Sequence, residues 1–286
     1  MEWEYNISIL KNRRKPMLLG GITALSLIFA GIITGCLRWS LWLFPVAFAS
    51  CALVLTLAAL AFLIIVCALV DVEKPQETDS PFYRAVMHIY IEALISLVLV
   101  RLHTEGLEKT PKEGRFLLVC NHLFLADPGV LLHCFRRSQL AFISKQENIN
   151  MPIVGKFLHK ILCQTLDRDN DRQALKVILK CIQMLKEDQV SIGVFPEGYT
   201  SKDNKLHKFR AGVFKIAQKT GVPIVVCTIQ NTREIFKNLK KGKHTDVHLH
   251  LVEVIPPETL AGKSAVEISD MVYDIMIADL GEEYRP

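Results

Sequence analysis

The stretch Arg115-Phe116-Leu117-Leu118-Val119-Cys120-Asn121-His122-Leu123-Phe124-Leu125-Ala126-Asp127-Pro128 decides the fold. Its first part, Arg115 to Cys120, is a short apolar run of the length of a buried strand. The run stops at the polar pair Asn121-His122. Asp127 followed by Pro128 then reads as a helix start, with the carboxylate as N-cap and the proline in the first turn. A strand that feeds a helix is the repeating unit of a parallel sheet, and the same alternation recurs downstream. Further strands are expected at Leu140 to Ser144, Ile161 to Leu166, Val190 to Phe195, Pro223 to Ile229 and Val247 to Val254. The clearest helix is Asp171 to Lys186, where Leu175, Ile178, Leu179, Ile182 and Leu185 fall on one face and Lys176, Lys180 and Lys186 lie elsewhere. Asn170 and Gln173 can form its capping box. The fold class is therefore α/β, a mostly parallel sheet flanked by helices over residues 103–286. In such sheets the chemistry sits in loops beyond the carboxyl ends of the strands.

Three of those loops carry polar groups suited to catalysis or binding. His122 follows a strand directly, and Asp127 stands five residues on; a carboxylate that fixes the tautomer and aim of an imidazole makes it a general base. Capping alone would also account for Asp127. Pro196-Glu197-Gly198, after the strand Val190 to Phe195, forms a tight turn that can offer a carboxylate and backbone N–H groups, or simply face solvent. Asp167-Arg168-Asp169 follows Ile161 to Leu166. The planar fork of Arg168 suits a phosphate, unless its acidic neighbours hold it in a surface ion pair.

Upstream, the chain changes character. It has 286 residues and 63 charged ones, yet residues 17 to 70 contain a single charge, Arg38. Met17 to Cys36 and Leu41 to Val70 are each long enough to cross a hydrocarbon core of roughly 30 Å, and only Arg38, Trp39 and Ser40 separate them. The two must form an antiparallel hairpin, which either crosses the bilayer or rests in one leaflet with the Arg38 and Trp39 of its turn at an interface. The expected organisation is a basic flank at 1–16, a membrane hairpin at 17–71, an interfacial helix at 82–102 and the cytoplasmic domain at 103–286. Lys11, Arg13, Arg14 and Lys15 outweigh the single Arg38 in the turn, which puts both hairpin ends, and the large domain, on the cytoplasmic side of a cell membrane. The 82–102 stretch is apolar but interrupted by Arg84, His88, Glu92 and Arg101, a pattern that fits a helix lying along the membrane or a helix of the domain core. The eight cysteines show no C-x-x-C pair and read as small buried hydrophobes. A net charge of +5 with no basic stripe interleaved with aromatics argues against nucleic acid as a partner and suits an anionic membrane surface.

Taken together, these segments resemble the glycerolipid acyltransferase superfamily, the family of 1-acyl-glycerol-3-phosphate acyltransferases, from about residue 82 to 260. Asn121-His122-x4-Asp127-Pro128 matches its first block, Leu166-Asp167-Arg168 its second, Phe195-Pro196-Glu197-Gly198 its third and Val222-Pro223-Ile224-Val225 its fourth. Lys208-Phe209-Arg210-Ala211-Gly212-Val213-Phe214 resembles its basic-aromatic run between the third and fourth. The resemblance implies that His122 takes the proton of an acceptor hydroxyl as it attacks an acyl thioester, that Asp127 orients His122, and that Arg168, Glu197 and Gly198 bind a glycerol-phosphate acceptor. The implied donor is acyl-CoA or acyl carrier protein, the implied acceptor a lysophospholipid, and the implied product of the 1-acyl-glycerol-3-phosphate reaction phosphatidic acid. A thioester needs neither metal nor further cofactor for this attack, because the thiolate leaves readily.

The chain departs from the family pattern in two places. Leu162 stands where a glycine is common, six residues before Arg168. Tyr199-Thr200 follows Gly198 where a Thr-Arg pair is usual, which leaves Lys202, Lys205, Lys208 and Arg210 as replacements for the missing phosphate contact. Acyl hydrolysis and a non-catalytic lipid-binding scaffold are the competing functions; the scaffold would need neither His122 nor Asp127. His248 and His250 share a strand face but lack a third ligand at nearby spacing. Lys237, Lys240, Lys241 and Lys243 around Gly242 read as a solvated loop, with lipid headgroup or donor phosphate contact as the second reading.

Overall fold

The computed structural model describes residues 16–37, 41–166 and 171–286. Seven strands form one sheet: β1 (Val100–Glu105), β2 (Leu117–Cys120), β3 (Leu140–Lys145), β4 (Gln164–Leu166), β5 (Ser191–Val194), β6 (Ile224–Gln230) and β7 (Thr245–Ile255). Their order across the sheet is β1-β7-β6-β2-β5-β3-β4. All neighbours are parallel except β6 and β7, so β1 and β7 run against the other five. Every residue of β2 and β5 is buried, as expected for parallel strands covered on both faces. The flanking helices, with the N-terminal pair, are α1 (Met17–Cys36), α2 (Phe44–Ala68), α3 (Pro81–Leu97), α4 (Asp127–Cys134), α5 (Val154–Lys160), α6 (Asp171–Lys186), α7 (Lys215–Thr220), α8 (Ile235–Leu239), α9 (Pro257–Leu260) and α10 (Ala265–Leu280).

Three expectations about elements need correction. The stretch 82–102 is not one helix: α3 ends at Leu97, Leu99 turns the chain at φ 56°, and Val100 begins β1, so the sheet starts ahead of residue 103. Ile161 and Leu162 do not extend β4; they close α5, and Leu162 adopts φ 64° with its side chain buried. The backbone thus bends left-handed where the resembling family commonly has glycine. A leucine there costs roughly 1–2 kcal/mol in conformation, which burial of its side chain, worth about 1.5–3 kcal/mol, offsets. Helix α6 forms as expected, but its innermost line is Val177, Cys181, Met184 and Leu185, while Leu175 and Leu179 remain exposed. The thiol packs as a small hydrophobe and the flexible thioether as a gap-filler, and both take the sheet side. Asn170 lies outside the described residues; the capping box that is seen joins Ser264 and Glu267 at the start of α10.

Helices α1 and α2 form the expected hairpin. Ser26, Ala30 and Thr34, one turn apart, are buried, and such small residues allow two helices close approach. The hydroxyls of Ser26 and Thr34 donate to the carbonyls of Ile22 and Ala30 in their own helix at 2.7 Å, so no polar group is left unsatisfied by the contact. Outward, Leu25, Leu27, Ile28, Phe29, Leu53, Val54, Ile64 and Ile65 are exposed. Both helices are long and apolar enough to cross a membrane.

Helix α3 ties this hairpin to the sheet. The Tyr83 hydroxyl donates to the Val66 carbonyl (3.2 Å) and the Tyr90 hydroxyl to the Ala59 carbonyl (2.5 Å), so α3 runs antiparallel beside α2. On its other side Arg84 is buried, forked onto Asp79 at 2.7–3.1 Å and donating to the Leu140 carbonyl at the start of β3 (2.9 Å). The charge that interrupted the apolar pattern therefore faces inward, paired, rather than toward an interface. His88 is buried too, and burial, with Arg136 and Arg84 nearby, pushes its pKa down to about 4.

Candidate active site

The site forms where β2, β5 and β6 end. Asn121 leaves β2 with its side chain buried against β6: its Nδ2 donates to the Ile229 carbonyl (2.9 Å) and its Oδ1 accepts the Ile229 N–H (2.8 Å). This pair imitates a ladder rung and fixes the direction in which the chain exits the sheet. At His122 the backbone N–H donates to Glu197 Oε1 (2.9 Å) and the carbonyl accepts from the Ser201 N–H (2.8 Å). The loops after β2 and β5 are therefore bonded to each other on both sides of the imidazole.

The ring itself has two constraints. Its Nδ1 lies 2.8 Å from Asp127 Oδ2, and its face stacks on Phe195 with centroids 4.2 Å apart and planes inclined by 22°. Asp127 is fully buried, and the same Oδ2 accepts the N–H groups of Leu123 and Phe124, both at 2.7 Å. The expected N-cap role is corrected here. Asp127 is the first residue of α4, and its carboxylate turns back onto the loop instead of forward onto the helix. With Nδ1–H donating to a carboxylate, the lone pair sits on Nε2, which makes no hydrogen bond to any described residue. That nitrogen is the group available to a substrate proton.

Glu197 is 1% exposed, and both of its oxygens are used by the protein: Oε1 by the His122 N–H and Oε2 by the His207 N–H (3.1 Å). Burial pushes its pKa up, and the two amides oppose that shift. Gly198 follows at φ 78°, and a Cβ there would stand 2.8 Å from the Arg210 Nε. The left-handed backbone favours glycine, and any Cβ would oblige the Arg210 side chain to shift. Gly198→Ala is expected to lower the unfolding free energy by about 1–2 kcal/mol, read as a lower melting temperature. An unchanged melt would mean that neither the left-handed backbone nor the Arg210 contact costs the variant anything.

Of the anticipated binding residues, the structure brings Glu197, Gly198 and Arg210 to the His122 loop; the Arg210 N–H also donates to the Pro196 carbonyl (2.8 Å). Lys208 is exposed close by in sequence, whereas the Lys205 ammonium donates to the Glu283 carbonyl near the C-terminus. Arg168 lies outside the described residues. Sequence reasoning missed the clamp around residues 201–207. Asp203 accepts from Ser201, Lys205 and His207, the last of which chiefly holds its carboxyl well below the usual carboxylate range. Arg233 donates to the Ser201 carbonyl (2.8 Å) and to Asn204 (3.1 Å). Its partners come from a distant segment, so no local pattern announces it.

Other candidates resolve into structural roles. Cys120 is fully buried, and burial pushes its thiol well above its ordinary value, which disqualifies it as a nucleophile. His250 Nδ1 lies 2.6 Å from Asp279, whose other oxygen accepts from Thr228 (2.5 Å). His248 stacks on His103 at 4.8 Å. Among the described residues no group of three or more His, Cys, Asp or Glu side chains is placed to hold a metal ion.

Residues 101–230 match the acyltransferase family. Over 195 residues the chain is 25% identical to the 1-acyl-sn-glycerol-3-phosphate acyltransferase of Borreliella burgdorferi, covering 68% of this chain and 77% of that protein. It is 31% identical to the chloroplastic 1-acyl-sn-glycerol-3-phosphate acyltransferase LPAT1 of Arabidopsis thaliana, covering 56% of this chain but 46% of that one, so it spans about half of the plant relative. The crystal structure of the 1-acyl-sn-glycerophosphate acyltransferase PlsC from Thermotoga maritima shares the fold at a TM-score of 0.59 and 23% identity, over 92% of this chain and 96% of that one. The His122 loop, the Phe195–Gly198 turn and β6 all lie inside the span, residues 101–230, that matches the acyltransferase family.

Proposed function

We propose that this protein is a membrane-attached O-acyltransferase. It moves a fatty acyl group from acyl-CoA or acyl carrier protein to a lysophospholipid, with 1-acyl-glycerol-3-phosphate as acceptor and phosphatidic acid as product. The observation that carries the reading is the imidazole of His122, held through Nδ1 by the buried Asp127 and stacked on Phe195, with Nε2 turned to no partner among the described residues. The acceptor hydroxyl oxygen attacks the thioester carbonyl carbon while Nε2 takes the hydroxyl proton. The tetrahedral intermediate collapses with cleavage of the C–S bond, and the imidazolium returns the proton to the departing thiolate. The atoms balance without an acyl-enzyme, metal or further cofactor.

The relatives' activity on 1-acyl-sn-glycerol-3-phosphate supports this acceptor, and the two apolar helices support attachment to lipid. The basic residues at 11–15 argue for a cytoplasmic catalytic domain. Arg210 at the Gly198 turn and Lys208 beside it offer positive charge for the headgroup phosphate. The test is thiol release by purified protein over a panel of lyso-acceptors with acyl-CoA and acyl carrier protein donors. Release that depends on lysophosphatidate is expected; release without any acceptor would make the protein a hydrolase, and none with any acceptor would refute the reading. Arg168→Ala should mainly raise the acceptor KM, and an unchanged KM would take Arg168 out of phosphate binding.

A further inference from the structure

We propose that the rim of the His122 site carries its own contact for an anionic lipid surface, built from Leu125, Phe236, Lys240, Lys241 and Lys243 and separate from the apolar hairpin. The idea rests on the reading that the chain is membrane-attached, but not on its chemistry. Leu125, inside the catalytic loop, is 70% exposed, and Phe236 on α8 is 46% exposed. The two segments touch, since the Phe124 and Phe236 rings meet edge to face at 5.3 Å. Lys240, Lys241 and Lys243 follow α8 in an exposed turn, and none of them has an ion-pair partner among the described residues. A merely solvated loop explains lysines, but not a leucine and a phenylalanine left outside beside them. Apolar side chains flanked by unpaired lysines fit the interfacial region of an anionic bilayer.

The topology puts this rim on the side from which the hairpin projects. Strand β1 is antiparallel to β2, so the end of α3 that leads into β1 lies at the edge where β2 delivers His122. There the Leu99 carbonyl accepts the Thr245 N–H (3.0 Å), just after the lysine turn. Along α3, Tyr83 meets Val66 and Tyr90 meets Ala59, so α2 read backwards advances in step with α3. At that pace the end of α3 faces residue 52 or so, and Phe44 to about Cys51 project past the catalytic edge. A surface that receives the hairpin tip therefore also meets Leu125, Phe236 and the lysines.

The experiment is limited trypsin digestion of the full chain reconstituted in phosphatidylcholine vesicles with or without about 30% phosphatidylglycerol. Cleavage at Lys237 to Lys243 is compared with cleavage at Lys112, an exposed site at the opposite edge of the sheet. The phosphatidylglycerol vesicles should slow the first cuts at least fivefold and leave Lys112 unchanged, and 0.5 M salt should abolish the difference. In a variant carrying Lys240→Gln, Lys241→Gln and Lys243→Gln, the remaining cut at Lys237 should lose that protection while the melting temperature is kept. Equal cleavage in both vesicle types would overturn the proposal. So would equal protection by free CoA with neutral vesicles, which would make the lysines a donor-phosphate site. Because the readout requires no turnover, it stands apart from the acyl-transfer assay.

Discussion

His122→Ala is expected to reduce acceptor-dependent thiol release by about 100-fold or more, a loss of about 2.7 kcal/mol of transition-state stabilisation. The reason is local. Nε2 is the one nitrogen of the ring left to a substrate, and no described side chain stands ready to replace it. The variant should still fold, because the bonds that hold this residue to its neighbours, the N–H to Glu197 and the carbonyl from Ser201, belong to the backbone. What the substitution removes is the ring with its stacking on Phe195 and its bond to Asp127. The check is kcat beside a melting curve: a collapsed rate with a nearly unchanged melt supports the base, and normal turnover removes His122 from the chemistry.

Glu197→Gln should produce the second large effect, and of a different kind. The carboxylate accepts one backbone N–H on each oxygen, so an amide in its place must aim NH2 at a second donor and leave one buried N–H unpaired. That costs about 1–3 kcal/mol of stability. It also loosens the backbone of His122, and a displacement on the order of 1 Å at such a residue costs up to about 100-fold in rate. We expect kcat to fall at least tenfold while the acceptor KM stays within about twofold. A raised acceptor KM with unchanged kcat would mean that Glu197 touches the acceptor, the role which the family resemblance implies. Burial speaks for the positioning role: a carboxylate 1% exposed, with both oxygens engaged, has nothing left to offer a phosphate of its own charge.

The parallel sheet was legible because β2, β5 and β6 are apolar runs of strand length, each followed by a break, and burial on both faces asks for such runs. His122 and Asp127 were legible for a related reason: they interrupt an apolar pattern just where a strand ends. What sequence could not supply was direction. Asp127 looked like a cap and turned out to face backward onto its loop. Arg84 interrupted a stretch that fitted an interfacial helix as well as a core one, and it is buried on Asp79 and Leu140. Arg233 clamps residues 201 to 204 from about 30 positions away, a relation that exists only once β6 lies beside β2. Leu162 hid the end of α5 because nothing in a leucine signals a left-handed turn.

The joint between hairpin and sheet decides what kind of attachment the proposed membrane anchor would give. If the twelve residues 69–80 were the sole link, they could pay out to roughly 40 Å and let the catalytic head wander like a buoy on a line. Tyr83 and Tyr90 cancel that slack, since each hydroxyl grips a carbonyl of α2 from within α3, while Arg84 grips β3 on the other side. If the hairpin sits in lipid as proposed, the altitude of His122 over the bilayer is a property of the fold, and acceptors would reach it by sliding sideways in two dimensions instead of being fished out of the bilayer.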